Sequence, residues 1–477
     1  MGVPAGRAAG TAQSTAPGVR PSGGPFAVQQ RPRSRRQGRR PRYNGRVEHE
    51  QPAENADARR VPAGPAAPPL GLYVHIPFCE TKCPYCDFNT YAAIESLMPS
   101  YTRALEREIA GWGAWLGGPA LTSIFFGGGT PSYLPTRDLA RLLRAIDAAF
   151  AVAPGAEVTL EANPRDCERE RLRAIRRAGF NRISIGVQSL DDQELRLLGR
   201  RHDAAGAIAA VDAARVAGFD NLSLDLMFGL PNQFVASWEH TLAEAVALAP
   251  DHVSAYALTL EGGTPMEADV RRGRLAEPDG EIAAEMYRLA IDLLAGAGLA
   301  QYEISNWARP GRASRHNLAY WRNEAWLGVG PGAHAHLFDN GMASLGALGA
   351  NGARFAVVKP PRDYIRAAAA WEPPAAPVTR ASLAAVPFLD TVEAVSDATA
   401  MGETMMMGLR LNEGVSDAAF AARFGKPIAQ AFPEALTECL DYGLLCWVDG
   451  SLRLTDRGRM VGNEAFRRFV VEAAMAG

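Results

Sequence analysis

Short apolar runs alternate with amphipathic stretches through residues 71–259, and this pattern predicts alternating strands and helices. The runs are apolar at consecutive positions, as is typical of strands buried on both faces of a parallel sheet. We predict strands at 71–76, 121–126, 156–161, 181–187, 221–228 and 252–259. Helices are predicted at 99–116, 136–151, 166–178, 191–216 with a break near His202, and 233–248. Because a closed barrel needs eight strand–helix units, these six predict an α/β fold with an open, partial (β/α)6 barrel.

The pattern changes beyond residue 300. Residues 301–340 are irregular and rich in Gly and Trp, and they complete a predicted barrel domain at 69–340. Residues 341–384 contain two Pro-Pro pairs and predict a linker. In the remaining segment, 385–477, Asp449-Gly450 separates two apolar runs, which is a strong hairpin signal. Helices are predicted before that hairpin at 402–410, 415–424 and 428–442. Helices followed by a hairpin predict a small winged-helix-like C-terminal domain.

The first 68 residues have a different composition. They are rich in Gly, Pro, Ala, Gln and Arg, with few large apolar side chains. Residues 1–46 hold ten arginines and no acidic residue, although the net charge of the whole chain is only -2. Burial in such a segment cannot offset the entropy of folding, so we predict a disordered leader at 1–68. The arginines leave two alternatives open, a transit peptide or an arm that binds nucleic acid.

Six cysteines in 477 residues are too few for a disulfide scaffold, and no apolar run reaches the length of a transmembrane helix. Three of them, Cys79, Cys83 and Cys86, follow the first predicted strand with C-x3-C-x2-C spacing. Three thiolates on one loop can hold three irons of a [4Fe-4S] cluster and leave the fourth iron open. The alternatives are chance clustering, or a zinc site with His75 as a fourth ligand.

Glycines and polar residues follow the other predicted strands. Gly127–Gly129 and Thr130 come after the second strand, where glycines would let the backbone approach a ligand closely. Glu161 ends the third strand, a position at which a carboxylate suits ribose hydroxyls. Gln188 and Asp225 end the fourth and fifth strands in the same way. A plain turn and a surface glutamate are the alternatives for the first two features.

The segment 73–86, with its three cysteines, resembles the signature of radical S-adenosylmethionine (SAM) proteins. The resemblance runs from about residue 70 to the C-terminus. It implies a (β/α)6 partial barrel, a [4Fe-4S] cluster on the three cysteines, and SAM chelated by the open iron. The SAM-binding residues that it implies are Tyr73, Tyr85, Gly128, Gly129, Thr130, Glu161, Gln188, Arg200 and Asp225.

Two features narrow the resemblance. Oxygen-independent coproporphyrinogen III dehydrogenases carry a further cysteine two places after the third, whereas Phe88 at that place resembles the HemW-type haem chaperones. Residues 316–321 also fit the H-N-x-x-Y-W motif associated with that type. The resemblance implies haem contact by His316, Asn317, Tyr320 and Trp321, with His334 as a second candidate ligand. From chemistry alone, a hydrogen-bonded core histidine among core aromatics is the alternative.

The sequence therefore predicts a cytoplasmic haem chaperone that carries a [4Fe-4S] cluster and SAM, binds haem, delivers it to acceptor haem proteins, and lacks dehydrogenase activity. The alternative is SAM-dependent oxidative decarboxylation of coproporphyrinogen III in porphyrin biosynthesis. The predicted helix 428–442 contains Glu434, Glu438 and Asp441, which argues against a nucleic-acid partner. Membrane association is not indicated, and a homodimer stays open.

Overall fold

The computed structural model describes residues 70–339 and 342–476, so the predicted leader at 1–68 lies outside the described residues. The strands are β1 (Leu70–Ile76), β2 (Ala120–Gly128), β3 (Ala151–Ala162), β4 (Arg182–Gln188), β5 (Leu222–Phe228), β6 (His252–Ala257), β7 (Ala300–Glu303), β8 (Asn306–Ala308), β9 (Trp326–Val329), β10 (His334–Leu337), β11 (Ala353–Val357), β12 (Leu389–Ala394), β13 (Val415–Ser416), β14 (Leu445–Val448) and β15 (Ser451–Leu454). The helices of the first part are α1 (Met98–Leu116), α2 (Thr136–Ala149), α3 (Arg169–Ala178), α4 (Asp192–Leu197), α5 (Ala204–Val216), α6 (Val235–Ala247), α7 (Pro265–Arg271), α8 (Gly280–Gly296) and α9 (Arg315–Trp321). Those that follow are α10 (Pro361–Ala369), α11 (Arg380–Ala384), α12 (Asp397–Gly408), α13 (Asp417–Phe424), α14 (Ile428–Ala431), α15 (Pro433–Asp441), α16 (Asp456–Met460) and α17 (Gly462–Ala476).

Strands β1 to β6 pair in chain order and in parallel, which confirms the six predicted strands and the partial barrel. Antiparallel strands β8 and β7 extend the sheet beyond β6. On the other side β9 pairs in parallel with β1, and β10, β11 and β12 continue antiparallel. The carboxyl ends of β1 to β6 therefore meet along one edge of the barrel, as in other parallel α/β folds.

Side chains alternate between the helices and the barrel interior along each strand. In β1, Leu72, Val74 and Ile76 are fully buried in the main hydrophobic core. Tyr73 and His75, between them, belong to the interior, where their side chains are hydrogen bonded to each other. One face of β1 therefore packs in the apolar core, and the other face places polar side chains inside the barrel.

The predicted helix 191–216 is interrupted near His202, as expected. Asp191 accepts hydrogen bonds from the backbone N–H groups of the first turn of α4. Asp203 caps α5 in the same way, through the N–H of Gly206. Between the helices Gly199 has φ +62°, a left-handed conformation that favours glycine. Two capped helices therefore replace one long helix.

The stretch 341–384 is not the loose linker that was predicted. Its described residues include β11, α10 and α11, and Trp371 packs against Trp112 of α1 with ring centroids 5.5 Å apart. The prolines misled the prediction, because Pro361 begins α10, a position that suits a residue without a backbone N–H. The division of the chain into domains at 340 and 385 stays a prediction.

The C-terminal part has its own apolar core, which contains Phe420, Phe432 and Phe469. The predicted hairpin is confirmed by β14 and β15, whose turn residues Asp449 and Gly450 both have positive φ. The helix predicted at 428–442 is instead two helices, because a proline at 433 starts α15. None of the helices in the described part of the chain combines the length and hydropathy needed to span a bilayer.

Candidate functional site

A cavity of about 370 Å³ opens at the carboxyl ends of the parallel strands. It gathers most of the predicted site residues, which come from loops and strands far apart in sequence. Those that line it are Cys79, Cys83, Tyr85, Cys86, Gly128, Gly129, Thr130, Glu161, Gln188, Arg200, Asp225 and Asn317. The predicted residues that do not line it are Tyr73, His316, Tyr320 and Trp321.

The cysteine loop leaves β1 and is held by its own backbone. The N–H of Cys79 donates to the carbonyl of Tyr91 at 3.0 Å, and that of Cys86 donates to the carbonyl of Cys83 at 3.2 Å. The Cys79 thiol lies 3.3 Å from the Thr130 hydroxyl, which connects this loop to the glycine-rich loop after β2. All three cysteines are free thiols.

These thiols suit a cluster better than a single ion. Among the described residues, no group of three or more His, Cys, Asp or Glu side chains converges closely enough to hold one metal ion. A cubane cluster offers a separate iron to each thiolate, so its ligands need not converge on one point. His75 is also unsuited as a fourth zinc ligand, because its ring nitrogens are bonded to Tyr73 Oη and the Asn89 carbonyl, each at 3.0 Å.

An ion-pair network that the sequence does not indicate joins the cysteine loop to the loops beside it. Arg201, after α4, pairs with Glu80 of the cysteine loop and lies 3.7 Å from Asp166, which follows β3. Asp166 in turn accepts a 2.7 Å hydrogen bond from the Ser132 hydroxyl, after β2. The Arg201 and Asp166 side chains are only 12% and 9% exposed, so their contact is shielded from solvent, whereas Glu80 lies at the surface. Loops that follow four strands are thereby fixed relative to one another.

The glycine-rich loop meets Glu161 at the end of β3. Gly128 has φ +109°, and a Cβ atom there would lie 2.6 Å from the His75 ring, so no larger residue fits. Its N–H donates to Glu161 Oε2 at 3.2 Å. Burial, together with the nearby Asp225 carboxylate, raises the pKa of Glu161 to about 8. Glu161 therefore carries a proton at neutral pH and can act as donor as well as acceptor.

Three further residues complete the rim of the cavity. Arg200 donates to the Gly186 carbonyl at 2.7 Å and lies 3.5 Å from the Cys83 sulfur. Gln188 ends β4 with φ +69°, an uncommon conformation for a residue with a side chain. Burial raises the pKa of Asp225, whose two oxygens each accept from the Ser184 hydroxyl at 3.0 Å.

The H-N-x-x-Y-W segment forms α9, which closes the interior of the barrel. His316 is 1% exposed and stacks on Phe125 with ring centroids 5.2 Å apart. Its Nδ1 is bonded to the Ser123 hydroxyl and its Nε2 to the Tyr320 hydroxyl, both at 2.9 Å. Burial, and secondarily Arg182, lowers the pKa of His316 to about 3. His316 is thus a neutral core residue with both nitrogens in use, and its role as a haem ligand stays a prediction.

Most of the other residues that the resemblance assigns to haem contact also lie away from the cavity. Trp321 lies under the guanidinium of Arg410, 4.5 Å from its ring centroid, and not at the cavity. His334, the second candidate ligand, is exposed on β10. Only Asn317 reaches the cavity. Of the four motif residues, His316 is buried, the other three are partly buried, and haem contact by the motif stays a prediction.

Phe88, which the sequence singled out, lines the cavity together with two residues that were not predicted, Tyr256 and Arg182. Phe88 is 63% exposed at the mouth, and Tyr256 at the end of β6 is 42% exposed. Arg182, at the beginning of β4, is buried and lines the same cavity. Arg182 stands in an alternating strand pattern with Ser184 and Gln188, which could have indicated that it faces the interior.

The partial barrel and the three-cysteine loop define a protein of the radical SAM superfamily. The model of that superfamily matches residues 73–245, and the model of the HemN C-terminal domain matches residues 395–461. The chain is 37% identical over 401 residues to Heme chaperone HemW of Bacillus subtilis (strain 168), covering 84% of this chain and 99% of that protein. It therefore belongs to the HemW family.

Other relatives agree with this placement. Heme chaperone HemW of Mycobacterium tuberculosis (strain ATCC 25618 / H37Rv) is 37% identical over 84% of this chain and 94% of its own. The structure of the coproporphyrinogen III oxidase HemN from Escherichia coli superposes with a TM-score of 0.67. That match covers 86% of this chain and 90% of HemN at 23% identity, so it supports the fold alone.

Proposed function

We propose that the protein is a haem chaperone that binds haem and passes it to acceptor haem proteins. The observation that carries this proposal is the 37% identity to HemW chaperones along almost their whole length. Phe88 supports it, because an exposed phenylalanine stands where the dehydrogenase signature has a cysteine. The cytoplasm is its expected location.

The cavity residues fit the two cofactors of the superfamily. Cys79, Cys83 and Cys86 would hold the [4Fe-4S] cluster, and the glycine-rich loop with Glu161 would hold SAM. When bound and reduced, such a cluster supplies an electron that can cleave SAM. The chain's own contribution is to orient these ligands: Arg200 places a positive charge beside a cluster sulfur, and buried Glu161 offers a proton at neutral pH.

Haem would enter at the cavity mouth and extend towards the base of the cavity. A porphyrin is flat and largely apolar. Packing it against the exposed ring of Phe88 would remove apolar surface from water, which favours binding. Tyr256 lines the same mouth with a partly exposed ring. Among the described residues that line the cavity there is no histidine, so an axial ligand from the H-N-x-x-Y-W segment is not part of this proposal.

The test compares binding and catalysis in one preparation. The protein is reconstituted anaerobically with iron, sulfide and SAM, then titrated with haem and mixed with apomyoglobin as a haem acceptor. We expect haem binding, transfer to the acceptor, and no conversion of coproporphyrinogen III when a reductant is added.

A matched pair of variants sharpens the test. Phe88→Ala should weaken haem binding, whereas Phe234→Ala removes a still more exposed phenylalanine that does not line the cavity and should have no effect. Catalytic conversion of coproporphyrinogen III to protoporphyrinogen IX by the wild-type protein would replace this proposal with the dehydrogenase. Absence of haem transfer would refute the chaperone role.

A further inference from the structure

Arg182 is the first residue of β4, and its side chain points into the barrel, as do those of Ser184 and Gln188. It is 2% exposed, yet it lines the cavity. It starts the strand that Gln188 ends, and six residues of strand correspond to about 20 Å. Arg182 therefore belongs to the base of the cavity, at the opposite end from the cysteine loop.

The guanidinium of Arg182 has no ion-pair partner in the described part of the chain. Within residues 70–339 and 342–476, no carboxylate lies within ion-pair distance of it, and its Nε atom is buried without a hydrogen-bond acceptor. The carboxyl groups of Glu161 and Asp225 interact with the guanidinium only beyond ion-pair distance, and their nearer partners are the Gly128 N–H and the Ser184 hydroxyl. An arginine stays charged at any physiological pH, so a buried cation faces the cavity unpaired.

The histidines near Arg182 do not supply an acceptor either. His252 is bonded to the Ser223 hydroxyl at 2.8 Å and to the Tyr302 hydroxyl at 2.9 Å, so both of its nitrogens are used. His316 is likewise bonded at both nitrogens. Neither histidine therefore has a ring nitrogen free to accept from the guanidinium, and the Thr159 hydroxyl on the neighbouring strand is not hydrogen bonded to it.

Asn317 brings a second free donor to the same cavity. Helix α9 is fixed at its beginning by Glu157, which accepts from the N–H groups of Arg315 and His316 at 3.2 and 3.3 Å. This anchoring holds the Asn317 side chain at the cavity, where its amide has no hydrogen-bond partner among the described residues. A guanidinium and an amide that face one space can bind a planar oxyanion with two oxygens.

We infer that Arg182 and Asn317 form a carboxylate-binding subsite at the base of the cavity, which takes a propionate of the bound porphyrin. The inference rests on the proposed haem binding, since haem carries two propionates. The carboxylate of SAM is the other candidate source. The family resemblance assigns that group to the cysteine and glycine-rich loops, at the far end of β4 from Arg182, so we commit to the propionate.

Two porphyrins that differ only in their carboxylates test the subsite. Protoporphyrin IX and its dimethyl ester are titrated into the reconstituted protein by fluorescence, for the wild type, Arg182→Gln and Arg182→Lys. We expect Arg182→Gln to weaken the free acid at least tenfold and leave the ester within twofold, and Arg182→Lys to recover part of the loss. Affinity for SAM, measured in parallel, should stay within twofold.

Stability distinguishes a ligand site from a structural arginine. Because Arg182 is buried without a partner, Arg182→Gln should keep or raise the Tm of the ligand-free protein. A second variant, Asn317→Asp, places a negative charge beside Arg182 and should also weaken the free acid selectively. If Arg182→Gln does not fold, Asn317→Asp tests the subsite by itself, and unchanged affinity for the free acid in that variant would refute it.

Several outcomes would overturn the subsite. They are equal weakening of acid and ester, no difference between the two porphyrins in the wild type, binding of neither, and a tenfold loss of SAM affinity, which would assign Arg182 to the SAM carboxylate. Failure of the proposed function looks different. Selectivity for the free acid that depends on Arg182, without haem transfer to apomyoglobin, would refute the chaperone role and leave the subsite standing.

Discussion

The mouth and the base of the barrel interior are built from the same strands, but their polar groups are arranged differently. At the mouth, Glu161, Arg200 and the cysteine thiols line open space. At the base, His316 is enclosed, with a hydroxyl on each ring nitrogen. Buried polar groups in natural proteins are almost always paired, and His316 with its two hydroxyl partners follows this rule without any ligand. The lining groups are those for which a ligand is needed.

Each of the two regions contains a buried titratable residue whose pKa is shifted, Glu161 at the mouth and His316 at the base. Burial beside a second carboxylate raises the pKa of Glu161 to about 8. Burial beside a cation lowers the pKa of His316 to about 3. Both residues are therefore neutral at pH 7, but only Glu161 faces the cavity. Arg182 differs from the other polar residues of the base. It is buried among them, but it lines the cavity and its Nε has no hydrogen-bond partner.

The largest effect should come from the mouth. Cys83→Ala removes one of three thiolates, and we expect complete loss of the four-iron cluster because a second iron would then lack its thiolate. Iron analysis and electron paramagnetic resonance measure the loss. Cys446→Ala, in the C-terminal part, is the matched control and should retain the cluster. A full four-iron signal from Cys83→Ala would contradict the assignment.

Substitution at the base should affect folding instead. His316→Ala leaves a cavity and two unpaired buried hydroxyls, so we expect it to lower the free energy of unfolding by about 2–4 kcal/mol. Urea denaturation of the ligand-free protein measures this. His334→Ala removes an exposed histidine and should cost less than about 0.5 kcal/mol. A fully stable His316→Ala with an altered haem spectrum would support the haem-ligand interpretation instead.

Much of this contrast could be predicted from the sequence. Consecutive apolar positions indicated the six parallel strands, and the position of Cys79, Cys83 and Cys86 after the first strand placed the cysteine loop at their carboxyl ends. Glu161 and Asp225 were expected at strand ends for the same reason, and both line the cavity. Each of these predictions uses only neighbouring residues in the chain, namely an apolar strand and the residues that end or follow it.

The rest depends on which distant residues meet. The pairing of Arg201 with Glu80 joins positions more than one hundred residues apart, and no periodic pattern in the sequence predicts it. The unpaired state of Arg182 is visible only when its neighbours' own hydrogen bonds are known. The H-N-x-x-Y-W motif gave residue types without their direction, so it could not show that His316 faces the core while Asn317 faces the cavity.

A smaller effect is expected from the ribose-binding position. Glu161→Ala removes a buried polar group from the mouth, and we expect SAM affinity to fall by about 1–3 kcal/mol if a SAM hydroxyl loses its partner. Isothermal titration calorimetry on the reconstituted protein gives the value. Asn181→Ala is a control at the amino end of β4, away from the cavity. Unchanged affinity in Glu161→Ala would remove this residue from the SAM site.

The smallest effect separates the charge of Glu161 from its shape. With a pKa of about 8, Glu161 is protonated at pH 7 and offers one acceptor and one donor, as a glutamine does. Glu161→Gln should therefore change SAM affinity at pH 7 by less than about 0.5 kcal/mol, because the pattern of hydrogen bonds is kept. Above pH 8 the wild type loses its proton and the variant does not, so the two affinities should diverge only there.

The same raised pKa fixes the direction of a stability change. The folded protein holds the Glu161 proton more tightly than the unfolded chain, whose carboxyl has the ordinary pKa of 4.5. This contribution to stability is complete below pH 4.5 and is lost as the pH rises through 8. Glu161→Gln cannot lose it, so the variant should gain stability relative to the wild type as the pH rises. Parallel pH profiles for the two proteins would show that Glu161 is ionised in the folded state, and the mouth would then differ from the base in charge as well as in access.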